Sequence, residues 1–196
     1  MEDKFIDDMI KLRAVYRGMG VTRFHCFRTI HQQNNGEHSA GVAHLYDFLA
    51  GEEATYNGLL ACLRHDLAEY LYGDMPAPAK RDMPPVVIQN ASELHAKGDI
   101  VPFRQYFGEQ EDLYLANNGI PMPALSEQDQ RWLKMADSAD GAIFCQREAE
   151  MGNLRMRDTQ KTFVTYFQSL IWNTEIPKTP VERRENELLD FIKQGL

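Results

Sequence analysis

Long apolar runs are missing from this chain. No segment of its 196 residues approaches the roughly 20 apolar residues that a membrane-crossing helix needs. The polar start Met1-Glu2-Asp3-Lys4 leads into no apolar stretch either. A membrane is therefore not an expected partner. Cysteine is scarce: Cys26, Cys62 and Cys145 stand far apart and form no CxxC pair. That argues against a zinc finger or a disulfide framework and points to a reduced, cytoplasmic protein. Positive charge is short as well. With 21 Lys and Arg against 29 Asp and Glu, the net charge is -8. A nucleic-acid polymer is not an expected partner, because such binding relies on basic surface that displaces counterions. Internal repeats, low-complexity tracts and alternating β-branched runs long enough for a sheet are also lacking.

What is present is an ordinary globular composition. Hydrophobic residues at 43% suffice for one core in a chain of this length, so a single domain over residues 1–196 is expected. Apolar positions recur at three- and four-residue steps, which predicts an all-α fold. A first helix is expected over 3–17, with Phe5, Ile6, Met9, Leu12 and Tyr16 near one face and Gly18 and Gly20 breaking it. Residues 21–36 read as irregular and end in Asn34-Asn35-Gly36. A second helix runs from near Glu37 to Gly51. A third covers 54–72, with Leu59, Leu60, Leu63, Leu67 and Leu71 in register, until Gly73-Asp74-Met75-Pro76-Ala77-Pro78 stops it. Two more helices are placed near 86–97 and 101–117. Ser126 with Asp129 caps one that runs to about Met151, and another spans 155–173. Thr179-Pro180-Val181-Glu182 reads as a capping box that opens a last helix, stopping before Gly195.

Four residues on these helices carry the chemistry: His38 in Glu37-His38-Ser39, His65 and Asp66 after Arg64, and Asp137 in Lys134-Met135-Ala136-Asp137. Two imidazoles and two carboxylates suit a mid-series divalent ion such as Mn, Fe, Co, Ni or Zn better than Ca. Three separate helices contribute them, as in metal sites inside helical bundles. Leu63, Leu67, Met135 and Ala136 flank them, and a charge amid such neighbours is costly to bury without a partner. Glu69 comes four residues after His65 and three after Asp66. On a helix it shares their side, the position of a general acid or base. Asp74 follows in a loop fixed by prolines, with Lys80 and Arg81 beyond it. His31, His44 and His95 are not expected to be ligands. The cluster of Phe163, Tyr166 and Phe167 reads as core or subunit interface, and the acids around Glu148 and Glu150 as a solvated face.

These motifs in this order, from Arg23 through His65-Asp66-Leu67-Ala68-Glu69 and Gly73-Asp74-Met75-Pro76 to Asp137, resemble the HD-domain phosphohydrolases. Within that superfamily the chain is similar to the bacterial 5'-deoxynucleotidases and the phage dATP triphosphohydrolases. The likeness covers most of the chain up to about residue 153. It implies an HD-domain helical bundle with a buried metal site within 23–140 and C-terminal helices over 155–195. It implies one divalent metal bound by His38, His65, Asp66 and Asp137, with Co, Mn, Zn, Fe or Ni suited to the site and Mg possible. It further implies that Glu69 assists proton transfer, that Arg23 and Lys80 hold phosphate, and that Asp74 lies near the sugar or the reacting phosphate. The deoxynucleotidases carry a tryptophan after the arginine; here Phe24 stands there, able to pack on sugar or base but without an indole N–H. His25 could add a contact to phosphate or base. Two-metal HD phosphodiesterases use further histidines between the His-Asp pair and the last Asp, and here only His95 lies in that interval, which favours a single metal.

The expected activity is metal-dependent hydrolysis of a deoxynucleotide at the 5' phosphoester. Lys11, Arg13, Arg17, Arg23 and Arg28 form a basic segment without acids. That segment, the compact length and the stretch from Glu111 to Leu125 favour a dATP-like dNTP, cut to deoxynucleoside and triphosphate. A 5'-deoxynucleotidase acting on monophosphates is the alternative, and a non-catalytic nucleotide-binding sensor is the rival from another class. The partners expected are a small deoxynucleotide and further copies of the chain in a homo-oligomer.

Overall fold

The computed structural model describes residues 2–76, 82–92, 94–171, 179–194 and 196. Its described residues form seven α-helices, in keeping with the expected all-α class. They are α1 (Glu2–Met19), α2 (Asn35–Ala50), α3 (Tyr56–Arg64), α4 (Phe103–Asn117), α5 (Glu127–Glu150), α6 (Met156–Leu170) and α7 (Pro180–Ile192). No helix among the described residues is long and apolar enough to cross a membrane.

The helix starts follow from local chemistry. Asn34 and Glu37 form a capping box at α2, and Thr179 and Glu182 form another at α7, with Pro180 at the first helical position. Ser126 caps α5 by accepting the Asp129 N–H. The central helix is α5. Trp132, Met135, Ala136, Ala139 and Ala142 on it pack against Val42, Tyr46 and Leu49 of α2, Val164 and Phe167 of α6, and Leu188, Leu189 and Ile192 of α7. A smaller cluster joins Ala14 of α1 to Leu67, Ala68, Leu115 and Ile120.

Four expectations need correction. The segment near 86–97 is not helical. Val86–Val87 pairs antiparallel with Ile100–Val101, Val86 opposite Val101. Two prolines precede this β-branched run, and an extended pairing suits it better than a helix. The third helix does not run from 54 to 72. It ends at Arg64, and a 3₁₀ turn follows over Leu67–Leu71. Asp66 sits between them with φ -107° and ψ 5°, so the expected ligands His65 and Asp66 occupy a break, and Leu63 and Leu71 face outward. Gly18 does not break α1. A Cβ there would lie 2.5 Å from the Leu67 carbonyl oxygen, so glycine lets α1 touch the ligand-bearing turn. The expected apolar face of α1 is also turned out: Ile6, Leu12 and Tyr16 are exposed, and Ala14 is the buried contact.

Candidate metal centre and its cavity

Helix α2 carries His38 at its N-terminal end, fully buried. The break after α3 carries His65 and Asp66, and α5 carries Asp137. His38 Nδ1–H donates to Asp140 Oδ2 at 2.7 Å, and His65 Nδ1–H donates to the Cys62 carbonyl at 2.8 Å. Both outer nitrogens are thus occupied, and the two Nε2 lone pairs converge at 3.2 Å. Asp66 Oδ2 lies 3.4 Å from His38 Nε2 and 3.3 Å from His65 Nε2. Asp137 Oδ1 lies 3.1 Å from His38 Nε2 and 4.0 Å from His65 Nε2. Four lone-pair donors facing one point repel each other unless a cation joins them. An ion at about 2.0–2.2 Å from each donor makes donor–donor edges of about 3.0–3.5 Å, close to most of these separations. The His38, His65 and Asp137 atoms form a group able to hold a metal, and the set fits one divalent ion.

Without an ion, the same crowding of carboxylates around the imidazoles draws protons instead. Burial alone would lower the His38 pKa, yet hydrogen bonding with Asp137, Asp140 and Asp66 carries it well above the ordinary value. His65 is likewise raised: burial opposes this, and Asp66 outweighs it. Burial would raise Asp66, but His65, His38 and Arg23 hold it well below the usual carboxylate range. Asp137 is lowered too, against burial, chiefly by His38.

Asp140 was not among the residues singled out from the sequence. It lies one turn beyond Asp137 on α5 and also accepts from Gln33 Nε2 at 2.9 Å. A Cβ on Gly41 would come within 2.2 Å of Asp140 Oδ1, so glycine is what lets α2 approach α5 here. The i, i+3 spacing of the two aspartates was the available signal. Asn35 was missed as well. Its buried Nδ2 donates to the Asp66 carbonyl at 2.9 Å and to Glu69 Oε2 at 3.1 Å. Glu148 is fully buried rather than on a solvated face. It accepts the backbone N–H of Ile30 at 2.7 Å and of His31 at 2.6 Å, and so anchors the 21–34 loop to α5.

That loop brings Arg23 to the centre. Arg23 is buried, pairs with Asp66 Oδ2 through Nη1, and places Nη2 4.0 Å from Asp137. Burial disfavours its charge, but Asp66, Asp137, Asp74 and Glu69 keep it protonated. Phe24 has φ 53° and donates its N–H to Asp74 Oδ2 at 2.8 Å. Its ring stacks on Phe144 at 4.5 Å and meets Phe163 edge-on at 6.1 Å.

A cavity of about 500 Å³ opens beside the donors, lined by Arg23, Phe24, Asp66, Glu69, Asp74 and Asp137 among others. His25 is exposed and does not line it. Lys80 falls outside the described residues. Phe163, read from the sequence as core or interface, lines this cavity, whereas Phe167 is core. A larger cavity of about 730 Å³ lies on the far side of Asp140, but none of the four donors lines it, so the chemistry belongs to the smaller one.

A family described as 5'-deoxynucleotidase YfbR-like matches this chain over residues 9–176. No curated protein matches it in sequence. Among solved structures, the cyanophage S-2L HD phosphohydrolase DatZ, bound to dA and one catalytic Zn2+ ion, shares the fold. The two are 16% identical with a TM-score of 0.59, over 92% of this chain and 95% of that one.

Proposed function

Since this chain belongs to the YfbR-like 5'-deoxynucleotidase family and is a metal-dependent phosphohydrolase, we propose that it hydrolyses the 5' phosphoester of a deoxynucleoside monophosphate to deoxynucleoside and inorganic phosphate. The observation that supports the monophosphate is the charge of the cavity. Among its described lining residues Arg23 is the one cation. Lys11, Arg13, Arg17 and Arg28, whose charge favoured a triphosphate in the sequence, do not line it. Arg23 and the ion stand among five lining carboxylates, Asp66, Glu69, Asp74, Asp137 and Asp158, so the described lining favours the roughly two negative charges of a monophosphate over the larger charge of a triphosphate.

His38, His65, Asp66 and Asp137 would hold the ion, with Zn, Mn, Co, Fe or Ni suited to the donors and Mg possible. When bound, it supplies Lewis-acid polarisation of the phosphoryl group and lowers the pKa of water. Arg23 offers charge-assisted N–H donors to the phosphoryl oxygens. Glu69, buried and held through Asn35, would move the proton from the attacking water toward the departing 5' oxygen. Water oxygen bonds to phosphorus as the P–O5' bond breaks, and the 5' oxygen leaves protonated. Asp74 fixes the Phe24 backbone beside the sugar.

Product analysis tests this reading. The protein is incubated with dAMP and with dATP, each with Zn, Mn, Co or Mg, beside an Asp66→Ala control. Nucleoside and phosphate from dAMP are expected. Nucleoside and triphosphate from dATP alone would replace the monophosphate by the dNTP reading. Binding without any metal-dependent product would leave a nucleotide sensor.

A further inference from the structure

Asn35 does not line the active cavity and is fully buried, yet both N–H groups of its amide are spent on residues that do line it. Its mount is rigid. The Asn35 backbone N–H donates to the Val21 carbonyl at 2.9 Å, and Thr22 pairs antiparallel with Asn34 beside it. Asn34 then caps α2, which makes Asn35 the first residue of that helix. From this mount Nδ2 donates to the Asp66 carbonyl at 2.9 Å and to Glu69 Oε2 at 3.1 Å. Both partners are acceptors, so the NH₂ end of the amide must face them.

Stability alone does not account for the residue. Asn35 Oδ1 is buried and has no hydrogen-bond partner among the described residues. An acceptor left in that state disfavours the fold. Tying α2 to the break after α3 needs one N–H, the one on the Asp66 carbonyl. The second goes to the Glu69 carboxylate. Glu69 stands in the 3₁₀ turn Leu67–Leu71, lines the cavity and is 5% exposed. Three torsions separate its backbone from its carboxylate, and a proton passes only within hydrogen-bond reach. Fixing one carboxylate oxygen fixes where the other stands.

We infer that Asn35 is the positioning residue of Glu69: its amide holds the carboxylate in the orientation from which Glu69 takes the proton of the attacking water, and it touches no substrate itself. The bland role is a strut between α2 and the Asp66 backbone. A strut acts through Asp66 and the metal, and its effect does not depend on whether Glu69 carries a carboxylate.

The inference rests on the hydrolase reading, and the experiment separates the two. kcat and KM are measured for dAMP, and for dATP in parallel, at saturating Zn or Mn. Wild type, Asn35→Leu, Asn35→Asp, Glu69→Ala and the double variant Asn35→Leu/Glu69→Ala are compared. Zn affinity is read by competition with a chromophoric chelator, and thermal melting checks folding. Asn35→Leu is expected to lower kcat by about 10–100-fold, the scale of a misplaced catalytic group, with KM and Zn affinity little changed. Asn35→Asp keeps the side-chain shape but turns an acceptor toward Glu69, and it should lose as much. In the Glu69→Ala background Asn35→Leu should change kcat by less than about twofold, because the group it holds is gone. An equal loss in both backgrounds, a loss matched by weaker Zn binding, or an unchanged kcat overturns the positioning role and leaves the hydrolase intact. A wild type that turns over neither nucleotide fails the hydrolase reading, and the inference falls with it.

Discussion

Asp140 shows how a residue that touches no substrate can govern the centre. Its carboxylate fixes the His38 ring with Nδ1 protonated and Nε2 turned toward the other donors. Asp140→Ala is expected to weaken metal affinity by about 10–100-fold, read by competition with a chromophoric chelator, while Asp140→Asn, which keeps an acceptor oxygen, should lose less. The imidazoles also set a pH dependence. In metal-free protein His38 and His65 have folded pKa values above their ordinary value. Their contribution to stability is therefore complete below the unfolded value near 6.5 and is lost as pH rises through the folded values. Metal binding requires these rings unprotonated, so its stabilisation runs the other way and grows with pH. Melting curves from about pH 6 to about pH 9, with and without Zn, should show the gap between loaded and stripped protein widening as pH rises.

At the scale of elements, the 21–34 loop and the break after α3 do the positioning. Neither is regular structure, and both are held by buried side chains. Glu148 satisfies two backbone N–H groups of the loop and accepts from Asn153 Nδ2 at 2.9 Å. Burial would raise its pKa, but these donors hold it below the usual glutamate value. Glu148→Ala leaves those N–H groups without their acceptor, at a cost of about 1–3 kcal/mol. Chemical denaturation should show that loss. Turnover should fall further than stability alone explains, because Arg23 rides on the same loop. The same reasoning explains why helix periodicity misread 54–72. The leucine spacing continues across the break, but Asp66 and Glu69 are bound by Arg23 and Asn35 from other elements, and those contacts outweigh the weak preference for a continued helix.

For the whole molecule, the buried seam between α2, α5, α6 and α7 holds the ligand-bearing ends in place. Leu49, fully buried in it, sits at the opposite end of α2 from His38. Leu49→Ala should cost about 2–5 kcal/mol, measured by denaturation, with metal affinity of the still-folded fraction unchanged. The outward apolar residues of α1, Ile6, Ile10, Leu12 and Tyr16, are 43–67% exposed in the single chain. They accord with the homo-oligomer implied by the resemblance, and light scattering is expected to give a mass above the 22.6 kDa of one chain.

The sequence by itself determined the helical class, the capped starts of α5 and α7, and the candidate donors, because periodicity, caps and ligand chemistry are properties of residue type and spacing. It did not reveal Asp140, Asn35 or Glu148. Each is an ordinary polar residue until folding buries it against a specific partner from another element. Nor did it show that Lys11, Arg13, Arg17 and Arg28 stand away from the cavity while Arg23 lines it. Charge adjacent along a chain is not charge adjacent in space, and only the packing of α1 and the anchoring of its following loop decide which cation lines the cavity.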